Sequence, residues 1–162
     1  ENCLIRGTGW NAETGVYEPH AWNLVLLDGR WFHVDVTFDA VLGDQNVLRH
    51  DYFCLTSGQI LRDHQYELSS FPKADTPGYD YYSKCSLVMK GKETFKNCVL
   101  QSLEKGETDL IVKLPDQVRE EGLVHKVTSV LNRTLSETDI CCSYSLSYNL
   151  KQRIFHIHLM KF

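Results

Sequence analysis

No stretch of this chain approaches the ~18 consecutive apolar residues of a membrane span, and no signal-peptide pattern is visible in it. It also lacks a basic surplus. Lys and Arg number 17 against 21 Asp and Glu, a net charge of −4, and the cations are scattered along the chain. That argues against nucleic acid as a partner, since a phosphate backbone is held by a concentrated basic face. Cys-x-x-Cys pairs are missing too. The six cysteines (Cys3, Cys54, Cys85, Cys98, Cys141 and Cys142) have neither a zinc-finger spacing nor the density of a disulfide scaffold, so they leave the compartment open. Internal repeats and low-complexity tracts are absent. What remains is a globular piece of 162 residues, 43% hydrophobic, long enough for one domain or two small ones.

The most informative segment runs from His20 to Asp39. Residues 20–27 and 30–38 are mainly apolar and flank Asp28-Gly29, a pair suited to a type I′ hairpin turn, where both central residues need φ > 0. With that turn Leu27 faces Arg30, Leu26 faces Trp31, and Asp35 falls opposite Trp22. Period-two alternation then places His20, Trp22, Leu24, Leu26, Trp31, His33, Asp35 and Thr37 on one face. Ala21, Val25, Leu27, Phe32, Val34 and Val36 share the other, which is expected to pack on the core. His20 and Asp35 become diagonal neighbours, about 7–8 Å apart at the backbone and within side-chain reach. On register alone the pair is either a hydrogen bond that stabilises a sheet or two-thirds of a nucleophilic triad. In the triad the carboxylate holds the imidazole in one tautomer, and a thiol or hydroxyl comes from elsewhere.

The run His20-Ala21-Trp22-Asn23, then Asp28-Gly29-Arg30-Trp31, then Val34-Asp35-Val36-Thr37-Phe38-Asp39 resembles the core of the transglutaminase-like superfamily. That superfamily contains crosslinking transglutaminases, papain-related peptidases and many bacterial proteins. Asp51-Tyr52-Phe53 and Asp63-His64 are similar to segments that close the domain in bacterial members, so the resemblance spans residues 1 to 66. It implies a partial papain-like antiparallel sheet and a Cys-His-Asp triad, with His20 and Asp35 as its catalytic histidine and aspartate. The family's cysteine opens a helix well upstream, where the dipole and free N–H groups favour a thiolate. Cys3 does not fit that role. The Leu4-Ile5-Arg6-Gly7-Thr8-Gly9 that follows it reads as a strand end breaking into a loop.

The resemblance therefore implies a fragment whose nucleophile helix lies upstream. The parent is expected to be an acyl-transfer enzyme acting on a protein or peptide, by amide or peptide hydrolysis or by glutamine crosslinking. No metal or cofactor is implied, a bacterial cell-surface or secreted location is favoured, and the chain is expected to be inactive without that helix. The alternative is a catalytically dead peptide or cell-wall binding module on the same fold. A third reading takes His20, His33 and Asp35 as ligands of a metal such as zinc. With the helix missing, the apolar face carrying His20 is expected to be uncovered, so self-association through it is anticipated.

Residues 70–78, with Pro72, Pro77 and Gly78, mark the expected boundary between a catalytic-core portion at 1–70 and an accessory domain at 71–162. In the second part Phe95, Val99 and Leu103 lie four apart on a helix over 92–105, with Gly106 as its C′ residue. A strand over 108–114 follows, then a helix capped by Asp116, then a hairpin of 141–148 and 154–162. The expected order is β-α-β-α-β-β, and the chain as a whole is expected to be α+β. His156 and His158 read as the polar face of the last hairpin. Tyr79, Tyr81 and Tyr82 read as packing or the wall of a cleft.

Overall fold

The computed structural model describes residues 1–43 and 47–162, and the chain divides into two compact units, Glu1–Cys85 and Ser86–Phe162. Both units combine helices with antiparallel sheet, so the protein is α+β. The sequence Gly43-Asp44-Gln45-Asn46 predicts a loop, and Asp44, Gln45 and Asn46 of it lie outside the described residues. Among the described residues no helix is long and apolar enough to cross a membrane.

The first unit is built on a five-stranded antiparallel sheet: β1 (Asn2–Asn11), β2 (Val16–Leu27), β3 (Arg30–Val34), β4 (Phe53–Leu55) and β5 (His64–Gln65). Their spatial order is β4-β3-β2-β1-β5. Asp28 and Gly29, at φ 49° and 73°, form the expected turn, and β2 pairs with β3 in the expected register, Leu27 with Arg30 through Leu24 with His33. Two expectations fail around this hairpin. β1 does not break at its glycines but runs on to Asn11, whose side-chain oxygen accepts from the backbone of Glu13 and Thr14 and shapes the turn into β2. β3 stops at Val34, where the chain enters helix α1 (Val36–Leu42). The β-branched and aromatic run Val36-Thr37-Phe38 favours a strand by propensity. Asp35 decides otherwise, accepting the backbone N–H groups of Thr37 and Phe38 as an N-cap.

The core covers the hairpin face expected to be bare, and the opposite face is buried only in part, at Phe32. Trp22, Leu24, His33 and Asp35 are all at most 2% exposed, while Ala21 and Leu27 on the opposite face are exposed. The chain covers the first set itself. Ile5, Trp22 and Leu24 pack with Tyr52, Leu55, Ile60 and Ala74, flanked by Phe38, Tyr66 and Phe71. This removes the physical basis for self-association through that face. Helix α2 (Ser57–Ile60) enters the same layer through a capping box of Thr56 and Gln59.

The first unit extends fifteen residues past the expected boundary at residue 70 because the proline-bearing segment packs onto it. Ala74 exchanges backbone and side-chain hydrogen bonds with Ser57, Tyr79 stacks on Phe32 at 4.9 Å, and the Tyr82 hydroxyl donates to Asp51 at 2.8 Å. Tyr82 belongs to a short helix, α3 (Tyr81–Lys84). The tyrosine cluster is thus packing.

The second unit places helices α4 (Lys92–Lys105) and α5 (Leu123–Ser136) with a sheet of β6 (Asp109–Lys113), β7 (Cys142–Asn149) and β8 (Ile154–Lys161), ordered β6-β8-β7. Phe95, Val99 and Leu103 from α4, Val127 and Leu131 from α5, and Phe155, Ile157 and Leu159 from β8 form its core. Gly106 ends α4 at φ 75°, as its position predicts. The leading strand of the expected order is reduced to a single parallel bridge between Val88 and Lys113. Asp116 does not cap α5, which starts at Leu123 after Gly122 in the left-handed region.

Candidate acid–base site on the first sheet

His20 lies on β2 opposite Gly7 of β1, beyond the point where β3 stops pairing. Because Asp35 follows the last residue of β3 and turns into α1, its carboxylate swings toward His20. Asp35 Oδ2 lies 2.6 Å from His20 Nε2. The structure therefore brings the two sequence-predicted residues together, with a helix cap replacing the expected strand position.

A third residue joins them. His64 Nε2 is 2.9 Å from the same Oδ2, and its Nδ1 is 2.7 Å from Asp63 Oδ1. The Tyr52 hydroxyl donates to Asp63 Oδ2 at 2.7 Å. The result is a continuous chain of polar groups, Tyr52, Asp63, His64, Asp35 and His20. Sequence reasoning singled out Asp63-His64 by resemblance but gave it no role. The adjacent acid and imidazole were the available signal.

Burial would raise the Asp35 carboxyl, but hydrogen bonds from His64, the Phe38 backbone and His20 outweigh it and hold the group below its ordinary value. Burial would likewise lower His64, yet its bonds to Asp35 and Asp63 raise it. The His20 side chain is 15% exposed, against 1% for Asp35 and 0% for His64, so the network meets solvent at His20. Phe38 packs 4.8 Å from the His20 ring and Trp22 stacks at 6.0 Å, giving the pair a low-dielectric surround.

Two glycines make room for this arrangement. A Cβ on Gly7 would stand 2.1 Å from the Gln65 carbonyl oxygen, and one on Gly9 would stand 2.7 Å from the Phe38 ring. The bare backbone of β1 lets β5, Trp22 and Phe38 close over the site.

His33 belongs to a separate buried network. Trp22 Nε1 donates to its Nδ1 at 3.0 Å, and its Nε2 faces Ser57 Oγ at 3.3 Å and the Tyr66 hydroxyl at 3.2 Å. Burial, helped by the charge of His64, drives His33 down to about 4, so it is neutral at neutral pH and anchors Trp22 beneath His20. Among the described residues, the set that can offer one ligand atom each to a metal ion, within 4.8 Å of one another, is His20, Asp35 and His64, without His33. Hydrogen bonds at 2.6 and 2.9 Å already join those atoms and account for their closeness.

All six cysteines are free thiols. Cys3 pairs with Leu24, four residues along β1 from Gly7 opposite His20, a separation of about 13 Å at strand rise. Among the described residues no cysteine sulfur hydrogen-bonds His20. In the second unit, His156 and His158 both bond Asp109 Oδ1, at 2.8 and 2.9 Å. Burial works against that carboxylate, but hydrogen bonds from His158, Thr108 and His156 bring it down to about 2. These histidines form the polar side of β8, as their alternation indicates. The chain matches no protein-family model and no curated protein.

Proposed function

We propose that this chain carries the acid–base half of a cysteine acyl-transfer enzyme of transglutaminase-like type, with the thiol supplied by sequence preceding Glu1. The observation that carries the reading is the state of His20. Its Nε2 is fixed on the buried Asp35 carboxylate, while Nδ1 has no hydrogen-bond partner among the described residues at the one solvent-reaching point of the network. A histidine held in this way can take a proton from a thiol at Nδ1 and deliver it to a leaving amine.

In the proposed reaction the thiolate adds to a glutamine carboxamide or peptide carbonyl. The tetrahedral adduct then collapses to a thioester as His20 protonates the departing amine. His20 next removes a proton from the acceptor, and the thiol is regenerated. Water as acceptor gives hydrolysis, and an amine gives a crosslink. Asp35 keeps the imidazole in place and offsets its positive charge in both steps.

The test combines a thiol-reactive probe and a glutamine-donor or peptide substrate with the full-length protein. His20→Ala and Asp35→Ala run beside the wild type. Loss of roughly 10²–10⁴ in turnover in both variants, with an upstream cysteine labelled, is the expected result. Absence of labelling and turnover in every form would overturn the reading and leave a binding module on the same architecture.

A further inference from the structure

The hydrogen-bond pattern around Asp35 points to a second imidazole acting on the first. We infer that His64 is a positioning residue, a buried imidazolium that bridges Asp35 and Asp63 and thereby fixes the carboxylate on which His20 is oriented. The inference rests on the acyl-transfer reading for its consequence in catalysis, and on geometry alone for the state of His64.

Asp35 has its acceptor capacity filled at both oxygens. Oδ1 takes the backbone N–H groups of Thr37 and Phe38 at 3.1 Å each, and Oδ2 takes His20 and His64 at 2.6 and 2.9 Å. An ionised carboxylate only accepts, so both imidazoles present N–H to it. The other nitrogen of His64 faces Asp63 Oδ1 at 2.7 Å, and Asp63 Oδ2 is occupied by the Tyr52 hydroxyl. A neutral His64 would turn a lone pair toward one of these carboxylate oxygens. Two N–H donors remove that repulsion, which makes the ring a cation between two anions.

The ring has no freedom to do otherwise. It is 0% exposed and enclosed by Phe38 at 4.5 Å, Trp22 at 4.8 Å and Tyr52 at 5.5 Å between ring centres. The other titratable groups that reach it are His20, at 5.6 Å between rings, and the neutral His33. For His20 this has a definite effect. Its partner oxygen, held at the same time by His64, cannot rotate away, so the ring of His20 is kept in one orientation.

Ring-nitrogen NMR of the ¹⁵N-histidine-labelled chain at pH 7.5 tests this with no substrate. Wild type should show both His64 nitrogens protonated and His20 as the Nε2–H tautomer. In His64→Gln, which returns one N–H to Asp35 but cannot span to Asp63, His20 should become a tautomer mixture. Asp63→Asn should strip one proton from His64 and move His20 the same way, and it carries the test if His64→Gln fails to fold. A His20 spectrum unchanged in both variants, or a singly protonated His64 in wild type, would overturn the inference. In the thiol-bearing full-length protein, His64→Gln should lower kcat about tenfold with KM unchanged. An unaltered kcat there would sink the catalytic role of His64 alone, whereas unaltered turnover in His20→Ala would sink the acyl-transfer reading itself.

Discussion

The two units of this chain solve the problem of an interior in opposite ways. The second buries Phe95, Val99, Leu103, Val127, Leu131, Phe155, Ile157 and Leu159, and the one ionisable side chain it buries among the described residues is Lys113. The first buries His33, Asp35, Asp39, Arg49, Asp51, Asp63, His64 and Asp80 beside a smaller apolar cluster. Burying charge is costly unless each group is paired and hydrogen-bonded. An interior spent this way makes sense where side chains must be held in a fixed protonation state, and the chain confines it to the unit that carries His20.

The largest effect should come from breaking a charge pair in the first unit. Arg49 donates to Asp51 through Nε at 3.0 Å and an η-nitrogen at 2.7 Å, and Tyr82 donates to the same carboxylate. Asp51→Ala should cost about 3–5 kcal/mol because it strands a buried guanidinium. Leu131→Ala in the second unit should cost about 2–5 kcal/mol through a cavity. The distinction appears in the rescue. Replacing Arg49 and Asp51 together by apolar residues should recover most of the loss in a urea titration, whereas no partner substitution restores Leu131. Hydrogen exchange followed by residue assigns each loss to its unit. A double variant as unstable as Asp51→Ala would mean that charge pairing is not what holds the first unit.

This contrast marks where the sequence was readable. Apolar spacing is a local signal, so the buried face of α4 followed from periodicity, and the turn and register of the Asp28-Gly29 hairpin followed from turn chemistry. Polar residues in the first unit carry no such signal, because their partners lie far along the chain. The mainly apolar run over 30–38 after the Asp28-Gly29 turn places Asp35 in a strand. The capping role of Asp35 depends on two N–H groups that converge on its carboxylate only once the helix forms. Gly7 and Gly9 looked like strand breakers because the groups they accommodate, Gln65 and Phe38, are distant in sequence. His64 was visible as a residue, but its place between Asp35 and Asp63 was not. Ala74 and Tyr82 also attach to residues well before them, so a boundary drawn from proline and glycine fell too early.

A second prediction concerns pH and stays within the first unit. Burial raises Asp39 from 3.8 to about 7, and its Oδ1 accepts the Tyr52 N–H at 2.9 Å. Between those two values the folded protein holds a proton that the unfolded chain has released. Stability from this group therefore falls as pH rises from 4 to 7. His33 has the opposite sign. It stays neutral when folded down to about 4, against 6.5 unfolded, so its contribution is full above 6.5 and is lost as pH falls toward 4. The two slopes oppose each other over one window. Asp39→Asn keeps the acceptor for Tyr52 and removes one slope. The variant should gain on the order of a few kcal/mol at pH 8 relative to pH 4, compared with wild type. Denaturant melts of both proteins at the two pH values would show it, and identical pH profiles would refute it.

The smaller effects come from one glycine in each unit, placed there for different physical reasons. Gly9→Ala should cost about 1–3 kcal/mol as an overpacking change. Its Cβ would meet the Phe38 ring at 2.7 Å, and that ring lies against His20. The His20 NMR signals should therefore move along with the melting temperature. A shift in stability with no movement at His20 would mean that Phe38 does not set the imidazole's surroundings.

Gly106 poses the reverse case. Apart from its two chain neighbours, no atom of the described residues lies within 4 Å of where its Cβ would be, so there is nothing to strike, but its φ of 75° belongs to the left-handed region. Its N–H bonds the Leu103 carbonyl at the end of α4, which fixes that conformation. Gly106→Ala should cost about 1 kcal/mol of purely backbone origin. Asparagine tolerates the left-handed region, so Gly106→Asn should cost less than Gly106→Ala. At position 9 the order should invert, because a larger side chain worsens a collision, and Gly9→Asn should be more damaging than Gly9→Ala. Urea midpoints for the four variants separate the two causes. The same order at both positions would mean that one mechanism, steric or conformational, governs both glycines.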